Sequence, residues 1–143
     1  MSGKAPGSEL AEEADLSGQW NGTYAYSRDQ GPATPFLVDL VDDNAAITGT
    51  LIEPEAFFGT NETLRAVVVG RRTGSAIAFT KTYVRAPEGY EFPVSYRGTI
   101  AEDSLTITGR WSLLGQSGPF EMHRDAAREV RSESEEDIAL PVK

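Results

Sequence analysis

Gly18-Gln19-Trp20-Asn21-Gly22-Thr23-Tyr24-Ala25-Tyr26 is the stretch whose reading decides the fold. Taken in steps of two, Trp20, Gly22, Tyr24 and Tyr26 fall on one face, and Gln19, Asn21, Thr23 and Ala25 on the other. Successive side chains of a strand point to opposite sides, so this alternation of large aromatic and small polar residues predicts a half-buried strand with Trp20 facing inward.

Seven similar segments follow. Residues 34–42 set Phe36, Val38 and Leu40 against Leu37, Asp39 and Val41, and Asp42-Asp43-Asn44 turns the chain into residues 45–53, with Ile47, Gly49, Leu51 and Glu53 in one phase. After an irregular stretch holding Phe57, Phe58 and Gly59, residues 63–72 alternate Leu64, Ala66 and Val68 with Arg65, Val67 and Val69. Residues 75–84 place Ile77, Phe79, Lys81 and Tyr83 together, and residues 92–101 do the same for Val94, Tyr96, Gly98 and Ile100. Glu102-Asp103 reads as a two-residue hairpin turn. Residues 104–113 then align Leu105, Ile107, Gly109 and Trp111, and residues 119–125 align Phe120, Met122 and Arg124. Strands at this spacing, with short turns and no helical pattern between them, predict an all-β protein: an eight-stranded antiparallel up-and-down β-barrel over residues 16–125, with a β-sandwich as the rival. The in-phase glycines Gly22, Gly49, Gly98 and Gly109 fit sharp bends of a barrel wall, or bulges.

The flanks differ in composition. Residues 1–15 are small and polar, then acidic, and read as a flexible leader or a short helical turn from Ser8. Residues 126–143 begin with a possible helix start, pass through an acidic Ser-rich run expected to be disordered, and end in a short apolar tag. The formal charge of −9 argues against nucleic acid or an anionic membrane surface as partner. Without cysteine there is no disulfide, thiolate metal site or thiol nucleophile. No apolar run is long enough for a signal peptide core or a helical membrane span, so a cytoplasmic location is expected.

The inward phase names the candidate site. Most of its members are core, but Lys81 sits between Phe79 and Tyr83, and Glu53 follows Leu51. A charge inside a barrel must pair, reach water or meet a ligand. Either Lys81 and Glu53 lie at an open end, solvated or paired with each other, or Lys81, Glu53 and the phenols of Tyr24, Tyr26, Tyr83 and Tyr96 are polar points in an apolar pocket beside Phe79. A single histidine, His123, in the opposite phase, supplies neither a catalytic triad nor a His-rich metal site, so no catalytic residue, metal or cofactor is expected. The outward residues Leu37, Val41, Ile52, Val67 and Val69 suggest a subunit interface.

Gly18-Gln19-Trp20, with Arg124 at the end of the last strand, resembles the calycin group, in which a Gly-x-Trp opens the first strand and a last-strand Arg packs across that Trp. The avidin branch looks nearer than the lipocalins. Ile47-Thr48-Gly49-Thr50, Ala78-Phe79-Thr80-Lys81-Thr82-Tyr83, Tyr96-Arg97-Gly98 and Ile107-Thr108-Gly109-Arg110-Trp111-Ser112-Leu113-Leu114 are similar to its third and later strands. The resemblance implies a small-molecule cup but not biotin. Gly22 stands where the family carries an Asn, and Phe120-Glu121-Met122-His123-Arg124 has no counterpart of its Asp.

Three functions are therefore expected in order: a module binding a small apolar or anionic ligand in an aromatic-lined cavity; an isomerase- or cyclase-type enzyme using Glu53 or a tyrosine as acid–base group; and a structural or oligomeric barrel filled by its own side chains.

Overall fold

The computed structural model describes residues 15–26 and 32–125. These form β1 (Gly18–Tyr24), β2 (Thr34–Asp43), β3 (Ala46–Pro54), β4 (Thr63–Thr73), β5 (Ala76–Tyr83), β6 (Val94–Ile100), β7 (Thr106–Leu113) and β8 (Gln116–His123). Each strand pairs antiparallel with its sequence neighbour, and β1 closes the wall against β8. The result is an eight-stranded up-and-down barrel and not a sandwich. The leader before residue 15, residues 27–31 and the acidic tail after Asp125 lie outside the described residues. Among the described residues no helix is long and apolar enough to cross a membrane.

Alternation builds the wall as the first strand suggests. Trp20, Val38, Leu51, Val68, Phe79, Tyr96, Trp111 and Met122 all belong to one buried core, with Trp20 and Trp111 inside the same enclosure. Burying each such side chain contributes about 1.5–3 kcal/mol, which is what holds the register.

Several boundaries differ from the periodic reading. Asn44 and Ala45, with φ of 54° and 79°, make the β2–β3 turn, one residue later than Asp42-Asp43-Asn44. The β6–β7 connection is five residues, 101–105, and not the two-residue Glu102-Asp103 turn. Ser104 takes a left-handed φ of 62° and donates to the Ala101 carbonyl, while the Ala101 amide reaches Thr106, so the pairing stops short of Leu105. Leu114 and Gly115, both with positive φ, form a tight turn that starts β8 at Gln116 instead of Pro119.

Pro119 therefore lies within a paired strand, opposite Arg110 of β7. The Ala25 amide donates to the Pro119 carbonyl at 3.1 Å. The return bond of such an antiparallel pair needs an N–H that proline lacks. The Ala25 carbonyl instead accepts from the Trp111 indole N–H at 2.8 Å. The missing backbone donor is replaced from inside the barrel.

One end is plugged. Leu16 and Trp20 are fully buried there, and the Trp20 indole donates to the Leu16 carbonyl at 2.9 Å. The Arg124 guanidinium lies 4.8 Å from the Trp20 ring centroid and donates to the carbonyls of Ser104, Ser17 and Asp15. At the same end, the Arg72 guanidinium donates two hydrogen bonds to Asp42, at 2.8 and 3.0 Å. That carboxylate also receives the Leu16 and Ala45 amides. The opposite end carries the connections β1–β2, β3–β4, β5–β6 and β7–β8.

Candidate functional site

The candidate residues meet near the end that carries the longer connections. Glu53 stands near the end of β3, Lys81 and Tyr83 on β5, Tyr24 at the end of β1 and Tyr96 on β6. The intervening β4 presents Ala66, which pairs with Leu51 on one side and Tyr83 on the other. Its small side chain leaves room for longer groups from β3 and β5 to join over it. Lys81 Nζ donates to Glu53 Oε1 at 2.9 Å. The other carboxylate oxygen, Oε2, accepts the Tyr24 hydroxyl at 2.7 Å and the Tyr83 hydroxyl at 2.8 Å. Lys81 Nζ also lies 4.5 Å from the Tyr24 ring centroid, 4.7 Å from that of Tyr83 and 5.4 Å from that of Tyr96. One of its three donors serves Glu53, and ring faces surround the remaining charge.

Of the two arrangements expected of an open end, solvated or paired with each other, the structure shows the pair. Lys81 is 1% exposed and Glu53 3%. Solvent is kept out because Tyr24 and Tyr83 bond the carboxylate and the rings of Tyr24, Tyr83 and Tyr96 surround the ammonium. Burial lowers the Lys81 pKa against the opposing pull of Glu53. Burial, followed by the Glu53 charge, raises the phenols of Tyr24 and Tyr83 far above their ordinary value. Tyr96 is raised as well, first by burial. The phenols therefore stay protonated, and those of Tyr24 and Tyr83 act as donors to the carboxylate.

The remaining candidates flank this cluster. Phe79 stacks on Tyr96 with centroids 4.8 Å apart and an 8° tilt. Tyr26 is not among the donors to Glu53; its ring meets Trp111 edge-on at 5.0 Å, and Trp111 also touches Tyr24 at 6.2 Å. Gly22 has a physical reason to lack a side chain, since a Cβ there would run into the far edge of the Phe36 ring. Phe36 thus fills the space beside Gly22.

Periodicity missed Glu55 and Tyr90. Glu55 follows the end of β3 and accepts the Phe58 amide at 2.7 Å, the Thr60 amide at 2.9 Å, the Thr60 hydroxyl at 2.7 Å and the Tyr90 hydroxyl at 2.8 Å. The Phe58 amide, then the Thr60 and Tyr90 donors, hold its pKa down to about 2 despite an opposing desolvation. Tyr90 in turn meets Tyr83 edge-on at 5.0 Å and Phe58 at 6.4 Å. Phe57 and Phe58 remain exposed. An aromatic rim therefore sits above the Glu53–Lys81 floor. A loop carboxylate in an irregular segment leaves no period to read, so no sequence signal pointed to it.

A separate open groove of about 450 Å³ beside Phe92 and the Leu114-Gly115 turn includes no member of the cluster. Among the described residues no three His, Asp or Glu side chains are placed to hold a metal ion.

The closed antiparallel barrel is consistent with a calycin-like fold in general. No protein-family model matches the chain, and no curated protein matches it.

Proposed function

We propose that this protein is a small-molecule-binding barrel of avidin-like cast, working in the cytoplasm. Its site is the Glu53–Lys81–tyrosine floor beneath the aromatic rim. One observation carries the reading: an ion pair and converging phenols inside an otherwise apolar enclosure. Apolar walls with a few convergent polar groups are how small-molecule sites are built. Lys81 supplies a cation with one of its three N–H donors given to Glu53, which favours a flat, mainly apolar ligand ending in a carboxylate or carbonyl. The avidin-like assignment is supported by the Trp20–Arg124 stack and by the strand motifs. Biotin is disfavoured because Phe36 occupies the space at Gly22.

A second reading is a barrel whose interior is complete in itself. It is favoured by one fact: Glu53 already has both oxygens engaged and Lys81 is 1% exposed. An acid–base enzyme is less favoured, because both Glu53 oxygens already accept hydrogen bonds from the protein's own side chains.

Thermal unfolding against a panel of aromatic carboxylates and ketones separates the two readings. A ligand that binds only the folded state raises Tm with its concentration. If no member of the panel and no fraction of a cell extract raises Tm, the self-filled barrel is the correct reading.

A further inference from the structure

The outer wall is chemically lopsided. On β6, β7 and β8 the outward residues include Arg97, Arg110, Glu121 and His123. On β2, β3 and β4 they include Val41, Ile52, Val67 and Val69, exposed by 55%, 37%, 40% and 59%, with Thr48 and Thr50 among them. Strand pairing sets these side chains in rows across the wall. Val41, Thr48 and Val69 form one row, and Asp39, Thr50 and Val67 the next. Leu37, Ile52 and Arg65 bound this face above, and Asp43, Ala46 and Arg71 bound it below. Apart from Asp39 at its β2 edge, this patch is valine, isoleucine and threonine, and exposed apolar surface of this kind marks an interaction surface.

The charges at its margin indicate the partner. Asp43 on β2 and Arg71 on β4 share one row with only Ala46 between them, and both are exposed. They are two strands apart, about 10 Å, and neither has an ion-pair partner among the described residues. We propose that this face is an isologous interface with a second copy of the chain, its two-fold axis running parallel to the strands over β3. That operation keeps each row at its own level and exchanges β2 with β4. Val41 of one copy then meets Val69 of the other, Ala46, Thr48 and Thr50 meet their own counterparts, Asp43 meets Arg71 twice, and Asp39 falls opposite Val67, one row from the other copy's Arg65. An axis perpendicular to the strands would instead bring row against opposite row and set Arg65 near Arg71. Face-to-face sheets pack about 10 Å apart within roughly 30° of alignment, an offset that the long Arg71 side chain absorbs. The proposal does not depend on the ligand site, which lies inside the barrel.

Sedimentation equilibrium of the full chain tests it. The wild type is expected at twice the 15.5 kDa chain mass at micromolar concentration. Val69→Lys is expected to be monomeric while keeping a cooperative urea transition, with Thr48→Arg as the second disrupting variant should Val69→Lys not fold. Arg71→Asp sets acid against Asp43 and weakens dimerisation by about tenfold or more. The exchanged pair Asp43→Arg/Arg71→Asp is expected to restore it. A monomeric wild type overturns the proposal and leaves the patch to a different protein. A dimer indifferent to both disrupting variants, or an exchanged pair that fails to recover, overturns it as well.

Discussion

Lys81 Nζ lies 2.9 Å from Glu53 Oε1, with both side chains shut away from solvent, although their strands are separated by β4. Such a pair survives burial only because the rest of its environment is polar at the right points: two phenol donors on the carboxylate and three ring faces around the ammonium. Breaking it on one side leaves an uncompensated charge in an apolar enclosure. Glu53→Gln and Lys81→Met are each expected to cost about 3–5 kcal/mol, and the double variant to recover most of that loss. Urea unfolding of the four proteins checks this as a double-mutant cycle, and additive losses would contradict it.

The chain's five tyrosines are Tyr24, Tyr26, Tyr83, Tyr90 and Tyr96, and burial raises the pKa of every one above its ordinary 10.0. The folded state then keeps phenol protons that the unfolded chain releases. The stability they contribute is whole below pH 10 and is lost as pH climbs beyond it. Lys81, pushed down from 10.5, acts the other way as pH approaches that value, but it is one group against five. Phenolate absorbance at alkaline pH should therefore appear together with the loss of near-ultraviolet dichroism. Smooth titration near pH 10 with native dichroism retained is the contrary result.

Gly22 and Phe36 share one volume. Gly22→Ala is expected to destabilise by about 1–3 kcal/mol through overpacking. Phe36→Leu introduced beside it should recover part of that loss. An unchanged urea midpoint for Gly22→Ala would mean that the ring is free to move aside.

The Trp111 indole donates to the carbonyl that Pro119 cannot serve. Trp111→Phe therefore removes packing and leaves the Ala25 carbonyl unpaired, which together cost about 2–4 kcal/mol. Pro119→Ala supplies a backbone N–H opposite that carbonyl and should restore about 1 kcal/mol in the Trp111→Phe background. No recovery would show that the ladder cannot close there.

Much of this barrel was legible because burial on one face forces a period of two. Trp20, Phe79, Lys81 and Trp111 were placed inward by counting alone, and the structure has them inward. Pairing partners were not legible in the same way. Glu53 and Lys81 are 28 residues apart, and nothing local says that Ala66 lets them meet. Turns that rely on left-handed residues other than glycine, at Asn44-Ala45 and Ser104, lacked the usual Gly signal, so strand ends there were misjudged. The alternation of Phe120, Met122 and Arg124 starts the last strand at Pro119, whereas pairing begins at Gln116. The tolerance of Pro119 within that pairing depends on Trp111, eight residues upstream. Glu55 owes its role to loop amides and to Tyr90, 35 residues away, which no periodic pattern records.

The central claim is that the Glu53–Lys81 floor recognises a small molecule. Native mass spectrometry of the wild type and of Glu53→Gln/Lys81→Met, each with the same panel of aromatic carboxylates and ketones, tests it most directly. The account predicts a saturable one-to-one complex with the wild type that is absent from the folded double variant. Equal binding by both proteins, or none by either, would contradict it.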